Sequence, residues 1–311
     1  MFKGGQVTDY SAVKRRSLLS PLIKTAALLG LMSGLLVMGG YGATGTNQGA
    51  LIGLAIAAVT SFGSWFYSDK AALAAYKAQP IERSQAPELY DLVADLAKKA
   101  DLPMPKVALV PTQTPNAFAT GRNPNHAAVA VTQGIMQILD RDELAGVIAH
   151  ELTHIKNRDT LTQAVAGTLG GAVTFLGRML SFGAMYGPVN RDNRQGGNPF
   201  GVLILVIIAP VAASIIQMAI SRTREFSADR GAAEITGKPM ALASALEKLE
   251  SIGKQVPMNG NPAFEPVLIM NHFSGGGLQS LFRTHPPTEA RVSKLKELAQ
   301  QQQGYTSFAV N

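Results

Sequence analysis

Along the chain, long stretches without any charge alternate with segments in which charged and apolar residues interleave. No Asp, Glu, Lys or Arg occurs over the 44 residues from Thr25 to Ser68, and none over the 27 from Gln195 to Ser221. Inside the first stretch, two apolar runs flank the uncharged turn Tyr41–Gln48, and each is near the ~20 residues that a bilayer core requires. No clear cleavage site separates the two runs, so residues 25–68 read as a transmembrane hairpin rather than a signal peptide. A second apolar pair, about Leu161–Phe182 and Phe200–Ile220, predicts another helical pair over 160–220, joined by the Gly-, Asn- and Pro-rich linker Gly183–Pro199. Its first member carries Thr162, Gln163, Thr168, Thr174 and Arg178, which leaves a buried helical hairpin as the alternative to a span. The pairs Gly30/Gly34 and Gly167/Gly171 have the spacing of helix-packing faces.

The interleaved segments predict ordinary secondary structure. Ala86–Leu102 is an amphipathic helix with Leu89, Leu92, Val93 and Leu96 on one face. Val107–Val110 is a short strand between prolines, and Ala117–Thr120 and Ala127–Thr132 form a hairpin across residues 121–125. Asp140 and Glu143 have the spacing of a capping box and open a helix that runs to about Asn157. Further helices are expected over Ser221–Thr236, Pro239–Ile252 and Pro286–Gln301. The fold class is therefore mainly α with a small β-sheet, anchored by the N-terminal hairpin and a second hydrophobic helical pair.

Composition sharpens this outline. Only 16% of the 311 residues are charged, against a usual quarter, and 46% are hydrophobic, which excludes disorder as a whole-chain reading. The formal net charge is +7, but the basic residues are scattered and no aromatic-basic module joins them, so no nucleic-acid partner is expected. Several instead flank apolar runs, where the lipid bilayer is the simpler partner. Lys14, Arg15, Arg16 and Lys24 precede the hairpin, and Lys70 and Lys77 follow it. That bias puts both of its ends, and with them the cytoplasmic N-terminal segment 1–24, on the cytoplasmic side. Cysteine is absent, which removes disulfides, thiolate metal sites and cysteine nucleophiles together.

The chemistry concentrates at His150-Glu151-Leu152-Thr153-His154. On a helix, residues i and i+4 share a face, so two imidazoles can direct nitrogens at one Zn²⁺. Glu151 lies close to the same face, where its carboxylate can take a proton from a metal-polarised water. A third ligand on the pattern of one zinc-protease class would need Gly at the position of Asn157 and His at that of Thr160, so that class fails. A Glu from a later helix fits better. Glu225 and Asp229 stand at i, i+4 within Ser221–Asp229, the first suited to the metal and the second to orienting a ligand histidine. A solvated helix face is the alternative for that pair taken alone.

With these motifs the chain resembles the HtpX-type integral-membrane zinc endopeptidases, gluzincins that share a catalytic fold with the Ste24-type CAAX proteases. The resemblance rests on four motifs in order: Pro115–Gly121, His150–His154, Ser221–Asp229 and Thr284–Thr288. It implies one Zn²⁺ per chain on His150, His154 and Glu225, with Glu151 as general base and Asp229 behind the ligands. It also implies a multi-pass protein of the bacterial inner membrane with a cytoplasmic catalytic domain, split between 71–159 and 221–311. Its substrates would be polypeptides, above all damaged or misfolded membrane proteins in stress-linked quality control. In that setting Asn116, Ala117, Phe118 and Ala119 would form an exposed edge strand that pairs with an extended substrate. Otherwise they open a structural hairpin. His285 would stabilise an oxyanion, or merely stand at the start of the last helix with Pro287 in its first turn. A non-proteolytic membrane scaffold with a structural zinc is the remaining alternative.

Overall fold

The computed structural model describes residues 23, 25–34, 36–38, 41, 45–166, 222–253, 269 and 286–308. The expectations for segment 1–24 (Ile23 apart), His285, the linker Gly183–Pro199, Gly167/Gly171 and most of the second apolar pair lie outside them.

Two apolar helices come first, α1 (Thr25–Met38) and α2 (Asn47–Phe66). Thr46 caps α2, its hydroxyl accepting from the Gly49 N–H. The two helices run antiparallel: the Ser33 and Ser61 hydroxyls lie 3.5 Å apart, and a Cβ on Gly53 would strike the Leu36 carbonyl. Close packing therefore falls at Gly53. Gly30 and Gly34 face open space instead, so the packing face expected there is not used within the chain. Among the described residues α2 is the one helix long and apolar enough to cross a membrane, with a mean hydropathy of 1.6.

Helix α3 (Ser68–Ala75) leads into a four-stranded sheet of β1 (Gln79–Pro80), β2 (Lys106–Val110), β3 (Ala117–Gly121) and β4 (Ala127–Thr132). The strand order is β1-β2-β4-β3, with β2 and β4 parallel and the other pairs antiparallel. The expected hairpin is β3–β4, antiparallel with Ala117 opposite Val131 and Gly121 opposite Ala127. Its turn needs glycine: Gly121 has φ +136°, and a Cβ there would meet the His126 carbonyl. One face of the sheet packs Phe118, Ala108, Val110 and Ala130 against Ala72 and Tyr76 near α3. The other face meets the main core under α4 (Pro87–Lys99), where Leu89, Val93 and Leu96 are buried as their spacing predicts.

After α5 (Gln133–Ile138), α6 (Arg141–Lys156) runs through the middle of the protein. Its capping box is complete: Asp140 accepts from the Asp142 and Glu143 N–H groups, and Glu143 from the Asp140 N–H. Helix α6 contacts β3, α4, α8 (Arg222–Thr236) and α9 (Pro239–Gly253). Two glycines set those contacts. A Cβ on Gly146 would press on Leu242, and one on Gly231 would collide with the Thr153 side chain. Between α6 and α8 the chain turns at Arg158, with φ +59°, into a helical stretch α7 that is described over 159–166. Helix α10 (Thr288–Phe308) packs on α8 and α9.

Candidate metal centre

The middle of α6 is polar yet buried. His150, Glu151, Thr153 and His154 are each no more than 4% exposed, so every polar atom there must find a partner inside the protein. Thr153 donates back to the Ala149 carbonyl. The two imidazoles stand edge to face, with centroids 4.7 Å apart, and their Nε2 atoms are separated by 3.2 Å. The Glu225 carboxylate on α8 closes a triangle with them, 3.7 Å from His150 Nε2 and 3.5 Å from His154 Nε2. A tetrahedral zinc with bonds of ~2.0–2.1 Å separates its ligand atoms by about 3.3 Å. The two Glu225 distances run to its two different oxygens, and one ligand atom from each residue lies within 4.8 Å of the others, so the three side chains are close enough to share one small ion.

Charge leads to the same reading. Glu151, Asp159, Glu225 and Asp229 are all buried, and two guanidiniums face them, Arg224 and Arg291. Were both histidines neutral and Glu151 ionised, as a bound metal would require, two negative charges would be left over, which one divalent cation would neutralise. The imidazoles differ in their surroundings. Burial, reinforced by the Arg291 charge, pulls His150 down to about 4, so it is the neutral form a metal requires. Burial also disfavours charge on His154, yet the Asp159 hydrogen bond, Glu225 and Glu151 hold it up at about 9. His154 would have to give up that proton to serve as a metal ligand.

Each histidine presents Nε2 to the centre because a carboxylate holds its other nitrogen. Asp229 Oδ1 lies 2.9 Å from His150 Nδ1, as the i, i+4 relation to Glu225 predicts. Arg291 on α10 clamps that carboxylate in a two-pronged pair, Nε to Oδ2 at 2.9 Å and Nη2 to Oδ1 at 2.6 Å. Despite burial, Arg291 keeps Asp229 down at about 2. Asp159 Oδ2 lies 3.1 Å from His154 Nδ1. Neither Arg291 nor Asp159 was marked by the sequence. Arg291 sits in a charged helix that reads as solvated, and Asp159 follows the two-residue turn at 157–158, where an acid reads as an N-cap. The signal, in hindsight, is an arginine whose helical neighbours Val292 and Leu295 are apolar.

Glu151 faces the strand. Its Oε2 accepts the Ala119 N–H at 2.8 Å. Burial pushes its carboxyl up to about 8, against the pull of His154 and with the help of Glu225. Strand β3 is at the sheet's edge, but its residues are buried rather than exposed. Asn116 Oδ1 accepts from the Ala117 and Ile269 N–H groups, and Ile269 also donates to the Ala117 carbonyl at 3.1 Å. Phe118 points to the other face, onto Tyr76 at 5.2 Å. Ala117 and Ala119 are thus the strand residues that carry backbone groups toward the centre.

Residues 83–299 match the family described as Peptidase family M48. The chain is 58% identical over 279 residues to a protein named Protease HtpX homolog from Nostoc punctiforme, covering 90% of this chain and 96% of that one. A protein of the same name from Thermococcus kodakarensis is 49% identical over 280 residues, covering 90% and 96%. Among solved structures, Ste24p of S. mikatae superposes with a TM-score of 0.51 at 18% identity, over 90% of this chain and 66% of that one. The last likeness shows a shared, mostly helical fold with a small mixed sheet.

Proposed function

This chain belongs to peptidase family M48 and is a metalloprotease, and on that premise we propose that it is a membrane-anchored zinc endopeptidase. The observation that carries the reading is the buried triangle of His150, His154 and Glu225, with Glu151 alongside. Zinc, when bound there, supplies a Lewis acid that polarises the scissile carbonyl and acidifies a water. His150, His154 and Glu225 hold it, and Asp229 keeps His150 turned with Nε2 inward. Glu151 takes the proton of the attacking water and returns it to the leaving amine. A carboxyl lifted toward neutral pH by burial is suited to both halves of that transfer. Ala117 and Ala119 offer backbone groups to an extended polypeptide in exchange for their present partners.

The anchor is the hairpin of α1 and α2. Leu51, Ile52, Leu54, Val59 and Phe62 are each more than half exposed on α2, a face suited to lipid. Basic flanks support cytoplasmic ends, an inner-membrane location and a catalytic domain assembled from 71–159 and 221–311. Damaged membrane proteins are the substrates this placement favours, since they share the bilayer with the enzyme. Glu151→Gln tests the mechanism. Cleavage of an unstructured polypeptide should fall by ~10²–10⁴ or more, with zinc content unchanged. Wild-type cleavage by that variant would remove Glu151 from the reaction, whereas a zinc-loaded wild type that cleaves nothing would favour the scaffold reading.

A further inference from the structure

The acid behind His154 stands in a different part of the chain from the acid behind His150. Asp229 comes from α8, four residues after Glu225, and is clamped by Arg291. Asp159 opens the helical stretch 159–166, the start of the second apolar pair. It is buried, and its Oδ2 meets His154 Nδ1 at 3.1 Å. Its other oxygen faces the Arg224 guanidinium at 3.5 Å, an ion pair without a hydrogen bond. The three guanidinium nitrogens of Arg224 are buried and make no hydrogen bond, so the nearby Asp159 carboxylate is the counter-charge this arginine faces.

The same helical start reaches two further places. The Thr160 hydroxyl donates to the Gly121 carbonyl at 3.0 Å, at the end of β3. The Thr162 hydroxyl lies 3.0 Å from that of Thr25 on α1. One short stretch therefore touches a metal-ligand candidate, the strand beside Glu151 and the first apolar helix.

We propose that Asp159, with Arg224 as its counter-charge, is a positioning residue for His154, through which the second apolar segment fixes the geometry of the metal centre. The proposal rests on the zinc reading above. The Asp159 carboxylate holds the His154 Nδ1 proton, which leaves Nε2 as the lone-pair nitrogen and makes it a better donor. Its partner Arg224 stands beside Glu225 in sequence, so the helical start 159–166 and α8 meet at this carboxylate.

The test is zinc affinity, measured by chelator competition on the full-length protein in detergent, together with the visible spectrum of the cobalt-substituted form. Asp159→Ala should weaken zinc ~10–100-fold and alter the cobalt bands. Asp159→Asn keeps an acceptor for the Nδ1 proton and loses the charge, so its loss should be smaller but measurable. Thr160→Val, equally buried and one residue on, should leave affinity and spectrum as in the wild type. Equal losses in Thr160→Val and Asp159→Ala would overturn the proposal, because any disturbance of the helix start would then suffice. Wild-type affinity and spectrum in Asp159→Asn would overturn it as well, and that arm decides alone should Asp159→Ala fail to fold. A wild-type protein that binds no zinc would instead overturn the zinc reading itself.

Discussion

Helices α2 and α6 are both built inside out, and for opposite reasons. Helix α6 buries Glu143, His150, Glu151, Thr153 and His154, while α2 exposes Leu51, Ile52, Val59 and Phe62. A buried polar residue or an exposed apolar face is the informative departure from the usual rule. In α6 the departure is local. Its buried polar groups meet partners inside the protein. In α2 the departure belongs to the surroundings, because none of the described residues covers the face. The helix that looks wrong for a core carries the proposed chemistry, and the one that looks wrong for a surface carries the proposed lipid contact.

The comparison breaks hardest at the centre. His154→Ala removes one corner of the triangle and leaves Glu151, Asp159 and Glu225 facing one another without the imidazole. Zinc should be lost on dialysis against a chelator, and proteolysis should fall to background. Metal analysis of the dialysed protein checks this, and full retention would take His154 out of the ligand set.

Truncations come next. Leu152 is fully buried in α6, so Leu152→Ala should cost about 2–5 kcal/mol. Val59→Ala, on a side chain 73% exposed, should stay within about 0.5 kcal/mol. Denaturation of both variants in the same detergent compares them directly. Equal losses would mean that α2 packs against protein after all.

A charge sharpens the other half. Ile56→Asp places a carboxylate near the middle of α2, where it costs about 2.5–3.5 kcal/mol of insertion. The variant should leave the membrane fraction more readily, with zinc binding unchanged. Carbonate extraction followed by metal analysis reads both. Unchanged retention would point away from a spanning α2.

The smallest effect lies at the start of α6. Glu143 accepts from Lys248 Nζ at 2.7 Å and Ser244 Oγ at 2.6 Å. Burial favours its neutral form, but these bonds outweigh it and hold the carboxyl below the ordinary value of 4.5. A depressed carboxylate contributes stability above its unfolded value and loses it as the pH falls through the folded one. Glu143→Gln should therefore cost about 1 kcal/mol near neutral pH, since Lys248 is half exposed and partly screened. The gap to the wild type should close as the pH falls below 4.5, and melting curves across that window would show it.

Much of this was legible in the residues themselves. The period of Leu89, Val93 and Leu96 predicts α4, Asp140 and Glu143 predict the start of α6, and the Ala-rich runs around Gly121 predict β3–β4. His150, His154, Glu225 and Asp229 come together as their spacing implies. The parallel pairing of β2 with β4 was not legible, because partner choice depends on contacts distant in sequence. Arg291 and Asp159 stayed hidden for a related reason: a charge looks solvated until the chain brings its counter-charge to it. The cover over β3 was equally invisible, since Ile269 lies 150 residues from Ala119 in the sequence and carries no signal of its own.

Gly231 has a further consequence. Its α-hydrogen sits where any side chain would run into Thr153, so the backbone of the helix bearing Glu225 lies directly against that side chain of the helix bearing both histidines. That contact acts as a gauge. It fixes the span across the three donors before their chemistry enters, and the span suits bonds of ~2.0–2.2 Å. A calcium-sized ion, which wants six to eight oxygens at ~2.3–2.6 Å, meets a slot that is too narrow and too sparsely furnished. Selection by ionic size is written into a side chain that is missing.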